Sequence, residues 1–370
     1  MLRKLAKKIL TENTREFLWI RFQKISRFLS LRRFYQLLSE MVYISAAKKG
    51  RLRVPKKVTE NLSNKNFELP SFNKVIVWGH KLSGNTYVYI QSSFFKAFQS
   101  LGYETYFFDD SDASKLLNFN FENSLFITED QAQNNIPLIK SSKYILHHVN
   151  AEKYLKNDLS FINFSNYQKS CENGESPAHP GNSVIKVDDC AFWDEKSKTL
   201  YQPWATDLLP NEIDVNNFVR FDPTKKKIHY IGGIYDHNRE NMERFGRAAR
   251  EHNIKFVTGK NIGIKRSHKL VRNSYISVDI RGPWHIECGY LPCRVFKNIS
   301  YGKFIGVNSE NIHNILGDFV AYHPDASKLF DVTVDAYRNM KQKTMQDAMQ
   351  YVKDKHTYVN RIHNLLKLLA

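Results

Sequence analysis

The sequence predicts an α/β chain of two parallel-sheet blocks joined by a hinge, with a basic helical extension ahead of the first block. Three observations carry this reading. Short apolar runs alternate with helix-length amphipathic segments, the pattern of strand–helix–strand units. The alternation halts once, over the Pro- and Trp-bearing stretch 200–210, and then resumes. Charge is also segregated: residues 1–57 hold 16 Lys and Arg against 3 Asp and Glu, so +13 of the net +18 lies there and +5 remains for the rest.

A length of 370 residues exceeds what one core serves, and 42% hydrophobic residues can fill two. Cys171, Cys190, Cys288 and Cys293 have neither C-x-x-C spacing nor the density of a disulfide scaffold, which points to a reducing cytoplasm. In 1–57, Leu18, Phe22, Ile25 and Leu29 follow helical spacing with Arg21, Lys24 and Arg27 between them. Such a helix can lie on an anionic membrane, peripheral on its inner face, or pack on the body with its basic face solvated. No run reaches the 18 or so apolar residues a span needs, and charges interrupt any signal-peptide core. The polar stretch 53–73, with two prolines, reads as a linker.

The first block, 74–202, opens with Lys74–Trp78, an apolar run of the buried parallel-strand kind. A turn holding Gly79, His80, Lys81, Ser83, Gly84 and Asn85 follows, then a helix over 87–101 and a strand over 104–108. Gly79-x4-Gly84-Asn85-Thr86 approaches a P-loop, but Asn85 stands where the phosphate-binding lysine belongs. The turn instead suits ligand contact at the carboxyl end of a strand. Asp110-Ser111-Asp112 has the form of a metal-binding Asp-x-Asp, and its position after a strand favours a solvated turn. Strands over 124–128 and 143–148 follow. The last ends in His148, which with His80 is placed for proton transfer. Short strands and loops are expected over 160–200.

The second block, 203–354, has a strand over 228–231 ending in Gly232-Gly233, a helix over 240–251 whose start suits an anion, and a strand over 255–258 ending at Gly259. Helix 267–273 and strand 275–280 lead into 277–309, where Gly and Pro breaks flank a short helix over 294–301 and a strand over 303–307. One helix is expected over 326–353. A last helix, 356–368, belongs to a segment 355–370 expected to pack back on the first block.

The second block resembles glycosyltransferases of GT-B architecture, the glycosyltransferase family 1/4-like group with two facing Rossmann-like domains. The residues that carry the resemblance are Ile231-Gly232-Gly233 with Asn238, the run from Gly289 through Tyr290, Pro292, Arg294, Lys297 and Asn298 to Gly302, the junction Gln202–Asp207, and His356-Thr357-Tyr358 with Arg361. The resemblance implies a nucleotide-sugar donor on the second block and an acceptor on the first. Gly232, Gly233, Asn238, Gly259, Arg281, Tyr290, Pro292, Arg294, Lys297 and Asn298 would then contact the donor, and the Gly79–Asn85 turn the acceptor. The chemistry agrees, since a diphosphate needs close backbone approach and cations. Cations and helix-terminal amides can stabilise the leaving diphosphate without a metal, so no cofactor is expected beyond the donor itself. Many relatives carry a glutamate that holds the donor ribose where this chain has Lys297; Asn298 or Glu287 is the candidate substitute.

The expected function is transfer of a sugar from a nucleotide diphosphate donor to a glycan or lipid-linked acceptor. A non-catalytic nucleotide- or glycan-binding protein of the same fold is the alternative. Nucleic acid is not an expected partner, because the charge that would bind it is confined to the extension.

Overall fold

The computed structural model describes residues 72–80, 86–166, 184–259 and 262–369. The extension 1–57 and the turn residues Lys81, Ser83, Gly84 and Asn85 lie outside them.

The first block is one eight-stranded sheet. Strands β1 (Lys74–Trp78), β2 (Thr105–Phe108), β3 (Ser124–Glu129), β4 (Lys143–His147), β5 (Ser160–Ser165), β6 (Val184–Asp188), β7 (Ala191–Asp194) and β8 (Thr199–Tyr201) take the order β2-β1-β3-β4-β5-β8-β7-β6. Pairing is parallel from β2 through β8 and antiparallel from β8 to β6. The apolar run of β1 is continuous because both of its faces are covered. Val75 and Val77 join a core with helix α1 (Thr86–Ser100), while Ile76 and Trp78 join an aromatic core on the opposite face. Asp110 is structural: its carboxylate accepts from Trp78 Nε1 at 2.9 Å and from the amides of Asn134 and Asn135.

The second block holds β9 (Lys227–Ile231) paired with β10 (Lys255–Gly259), and β11 (Ser277–Asp279) followed by β12 (Ile305–Val307) and β13 (Ala321–Tyr322), all parallel. A bond from Tyr275 N to Lys227 O, 2.7 Å, joins the two groups. After α2 (Glu152–Lys156) of the first block, the helices here are α3 (Asp236–Glu251), α4 (Ile264–Arg272), α5 (Pro283–Glu287), α6 (Cys293–Ser300), α7 (Glu310–Leu316), α8 (Ala326–Arg338) and α9 (Gln342–Lys355). Helix α3 begins four residues before the expected start, because the Asn238 side chain turns back to accept the Tyr235 amide at 2.8 Å and so nucleates an earlier turn. The helix expected over 326–353 is two helices, parted at Asn339–Lys341 where neither Gly nor Pro marks a break. Cys288 is disulfide-bonded, a pairing that cysteine spacing does not announce, whereas Cys190 and Cys293 carry free thiols.

The two blocks are clasped at the junction. Helix α10 (Tyr358–Leu369) returns to the first block and buries Val359, Ile362, Leu365 and Leu366 in its core. Arg361, fully buried, donates to the carbonyls of Pro203 (2.7 Å), Trp204 (3.2 Å) and Lys355 (3.0 Å) and contacts His356 Nδ1 at 2.8 Å. Thr206 bridges Thr357 alongside. Among the described residues no helix is long and apolar enough to cross a membrane.

Replacing Arg361 with Met keeps the volume but strips three buried carbonyls of their donor. We expect a loss of about 3 kcal/mol in denaturant unfolding; a loss below about 1 kcal/mol would show that the clasp is not needed.

Candidate functional site

The carboxyl ends of β4, β9, β10 and β11 converge on one cleft of about 510 Å³ between the two blocks. Parallel strands point their carboxyl ends the same way, so one edge of each sheet supplies the loops that face each other. Of the sequence-predicted residues, His148, Gly232, Gly233, Asn238, Gly259, Arg281, Tyr290, Pro292, Arg294, Lys297 and Asn298 line this cleft. Gly79 and His80 do not. Gly79 packs beneath Gln91, and His80 Nε2 approaches the buried Glu129 carboxylate at 3.1 Å. Burial, with a hydrogen bond to Asp130, pushes the Glu129 carboxyl up to about 8. Glu287, offered as a ribose contact, is exposed and outside the lining, whereas Asn298 is within it.

The second block's wall is organised by Asp279, which is fully buried and which sequence reasoning missed. Arg281 grips it through two bonds of 2.6 Å, and Arg294 reaches the same Oδ1 at 2.5 Å. Burial would raise this carboxyl, but the two guanidiniums outweigh it and hold the group below its ordinary range. One carboxylate against two guanidiniums leaves an excess positive charge. Arg294 also donates to Ile231 O (3.1 Å) and Tyr230 Oη (2.8 Å) and lies over the Tyr230 ring at 4.1 Å. Arg281 sits 4.8 Å from the Tyr290 ring.

The glycines of this wall make room for those arrangements. A Cβ at Gly232 would meet Arg294 Nη2 at 2.1 Å, and one at Gly282 would meet His237 O at 1.7 Å. Gly282 thereby lets the chain after β11 press against the start of α3. The helix places His237 and Asn238 in the lining, but the Asn238 carbonyl oxygen is already spent on the Tyr235 amide. His285, desolvated and beside Arg281, is lowered to about 4 and is neutral.

Lys297 differs from the two arginines. It projects from α6, is only 8% exposed, and its ammonium lies 3.9 Å from the Tyr89 ring centre across the cleft. Among the described residues it makes no ion pair and no side-chain hydrogen bond. The described cleft lining contains no Asp or Glu at all. Its field is therefore positive on the second block's side. The first block contributes His147 and His148, whose Nε2 atoms each lie 3.1 Å from Asn166 Oδ1, together with Gln131, Thr86 and Tyr87. Tyr89 Oη closes onto the Ile262 carbonyl and ties the walls together.

Among the described residues no cluster of three or more His, Cys, Asp or Glu could hold a metal ion. The two acids of Asp110-Ser111-Asp112 are occupied by local amides.

No protein-family profile matches the chain, and no curated protein matches it in sequence. Among solved structures it is similar to trehalose-6-phosphate synthase OtsA, at 10% identity and a TM-score of 0.40 over 69% of this chain and 74% of that one. It is similar also to a UDP-forming α,α-trehalose-phosphate synthase from Burkholderia xenovorans, at 9% identity and a TM-score of 0.42 over 80% and 99%. A third is the N-terminal domain of Candida albicans trehalose-6-phosphate phosphatase, at 8% and 0.41 over 85% and 98%.

Because the Asp279 carboxyl is depressed in the folded state, its stabilisation is complete above the ordinary carboxylate pKa and is lost as pH falls through the depressed value. Asp279→Asn is therefore expected to cost about 3 kcal/mol at neutral pH, with wild type and variant converging in acid. Unfolding curves across pH check this; a deficit that is constant with pH would contradict it.

Proposed function

We propose that the chain is a glycosyltransferase that moves a sugar from a nucleotide diphosphate donor to a glycan or lipid-linked acceptor. The observation that carries this reading is Lys297: a buried ammonium that makes no ion pair among the described residues, beside Arg281 and Arg294, in a cleft lined by no described carboxylate. Keeping three cations together with one buried carboxylate is costly unless an anion completes the set. A diphosphate meets that requirement: it can take Arg294 and Lys297 while the Gly232-Gly233 backbone and the start of α3 approach its oxygens. The negative charge that develops on the departing diphosphate falls on the same groups, so they stabilise the transition state more than the bound donor. No metal enters this account.

The acceptor hydroxyl comes from the first block's side, where His148 lines the cleft and would take its proton. The absence of a described carboxylate at the Lys297 position also favours a second reading, a nucleotide- or glycan-binding protein of this architecture without turnover.

A thermal-shift panel of nucleotides and nucleotide sugars identifies the donor base as the compound that raises Tm. With that donor, wild type should release nucleoside diphosphate. Arg294→Ala and Lys297→Ala should each lower kcat/KM by about 100-fold while keeping the fold. Stabilisation by the nucleotide without turnover would select the binding-protein reading, and no stabilisation by any nucleotide would overturn both.

A further inference from the structure

Arg281 and Arg294 are held by Asp279 within the second block, whereas Lys297 is held from the opposite wall. It leaves α6 on the second block, but its ammonium lies 3.9 Å from the ring centre of Tyr89, which stands on α1 of the first. A second ring, that of Tyr301, lies 6.0 Å from the same ammonium. Burial, with Asp207 and Cys293 adding to it, pushes the Tyr89 phenol up to about 12. The ring is therefore neutral, and its hold on Lys297 is a cation–π contact rather than an ion pair. The Tyr89 hydroxyl is spent elsewhere, on the Ile262 carbonyl.

With 8% of Lys297 exposed, the rings leave its ammonium little open surface for a phosphate oxygen, which must approach to about 2.8 Å. An oxygen that binds Lys297 must therefore draw it off Tyr89. Arg294 and Lys297 stand three residues apart on α6 and so share one helix face. A lysine's four-carbon stem can swing its ammonium from the ring toward the Arg294 guanidinium without moving the helix. Two cations repel side by side until an anion lies between them, and a charge-assisted bond to phosphate then outweighs a cation–π contact. We propose that Tyr89 is a residue of the diphosphate site supplied by the first block: its ring and the diphosphate hold Lys297 in turn, and its recapture of the ammonium speeds the departure of the diphosphate. The role in product release rests on the glycosyltransferase reading, while the exchange itself needs only an anion of two linked phosphates. A single phosphate held at Arg281 and Arg294 does not reach Lys297 and leaves the contact with Tyr89 in place.

The test uses the full chain labelled with ¹³C at the lysine ε-carbons, titrated with inorganic pyrophosphate and, separately, with inorganic phosphate. One ε-methylene signal is expected to lie upfield under the Tyr89 ring current, and Lys297→Met identifies it by removing it. Pyrophosphate should return that signal toward the position of free lysine, and phosphate should leave it where it is. By calorimetry Tyr89→Leu should bind pyrophosphate about fivefold tighter than the wild type and release it more slowly, as the line shapes of the titration read. Tyr89→Phe, which keeps the ring, should show no such gain, and neither should Tyr89→Leu in a Lys297→Met background. No upfield signal in the wild type, a signal that stays upfield with pyrophosphate bound, or equal affinity and release in Tyr89→Leu would each overturn the proposal and leave the diphosphate site standing. The wild-type spectra decide the exchange even if Tyr89→Leu does not fold. Exchange by pyrophosphate without turnover of any nucleotide sugar would keep Tyr89 in the site and remove the transferase reading; no binding of pyrophosphate would sink both.

Discussion

One carboxylate shared by two guanidiniums sets the character of the cleft. Asp279 ends β11 inside the protein, and Arg281 and Arg294 are held against it from the following loop and from α6. The arrangement fixes both arginines without neutralising them. Moving the aspartate to the surface would loosen them, and adding a second acid would cancel their field. The local backbone conforms to this constraint: Gly232 yields space to the Arg294 guanidinium, and Gly282 lets the chain leave Arg281 against the start of α3.

That wall is useful only because a second one faces it. The parallel sheets of the two blocks turn their carboxyl ends toward each other, and the junction keeps them there. Arg361 satisfies carbonyls on the hinge, and α10 takes the end of the chain back into the first block's core. Fold and chemistry are thereby coupled, because the strand order that lets each sheet bury both faces also places its polar loop ends in the shared cleft. The two walls differ in kind: one carries Arg281, Arg294 and Lys297, and the other carries histidines with no described Lys, Arg, Asp or Glu.

Much of this was legible in the sequence where the signal was local. Continuous apolar runs such as 74–78 announce strands covered on both faces, and glycines after strands announce the turns that approach a ligand. Arg281, Arg294 and Lys297 could be picked out because cations near Gly and Pro breaks suit a diphosphate. Asp279 could not, since an acid inside an apolar strand has no meaning until its partners, fifteen residues away in the case of Arg294, are seen to converge on it. Asn166 was hidden for the same reason: it lies at the end of a short strand in a polar region, and its role arises only from the register that puts β5 beside β4. His80 was assigned to the cleft from its place in a turn, but its Nε2 lies 3.1 Å from the Glu129 carboxylate, an approach between neighbouring strand ends that one strand cannot reveal. The break between α8 and α9 left no mark because no residue there forbids a helix.

The claim at the centre of this account is that Arg294 and Lys297, steadied by Asp279, hold a diphosphate. Calorimetric titration of the wild type with a nucleoside diphosphate and the matching monophosphate tests it most directly. The account predicts that the diphosphate binds on the order of tenfold tighter or more, and that Lys297→Met removes most of the difference while leaving monophosphate binding nearly unchanged. Equal affinity for the two nucleotides in the wild type would contradict it.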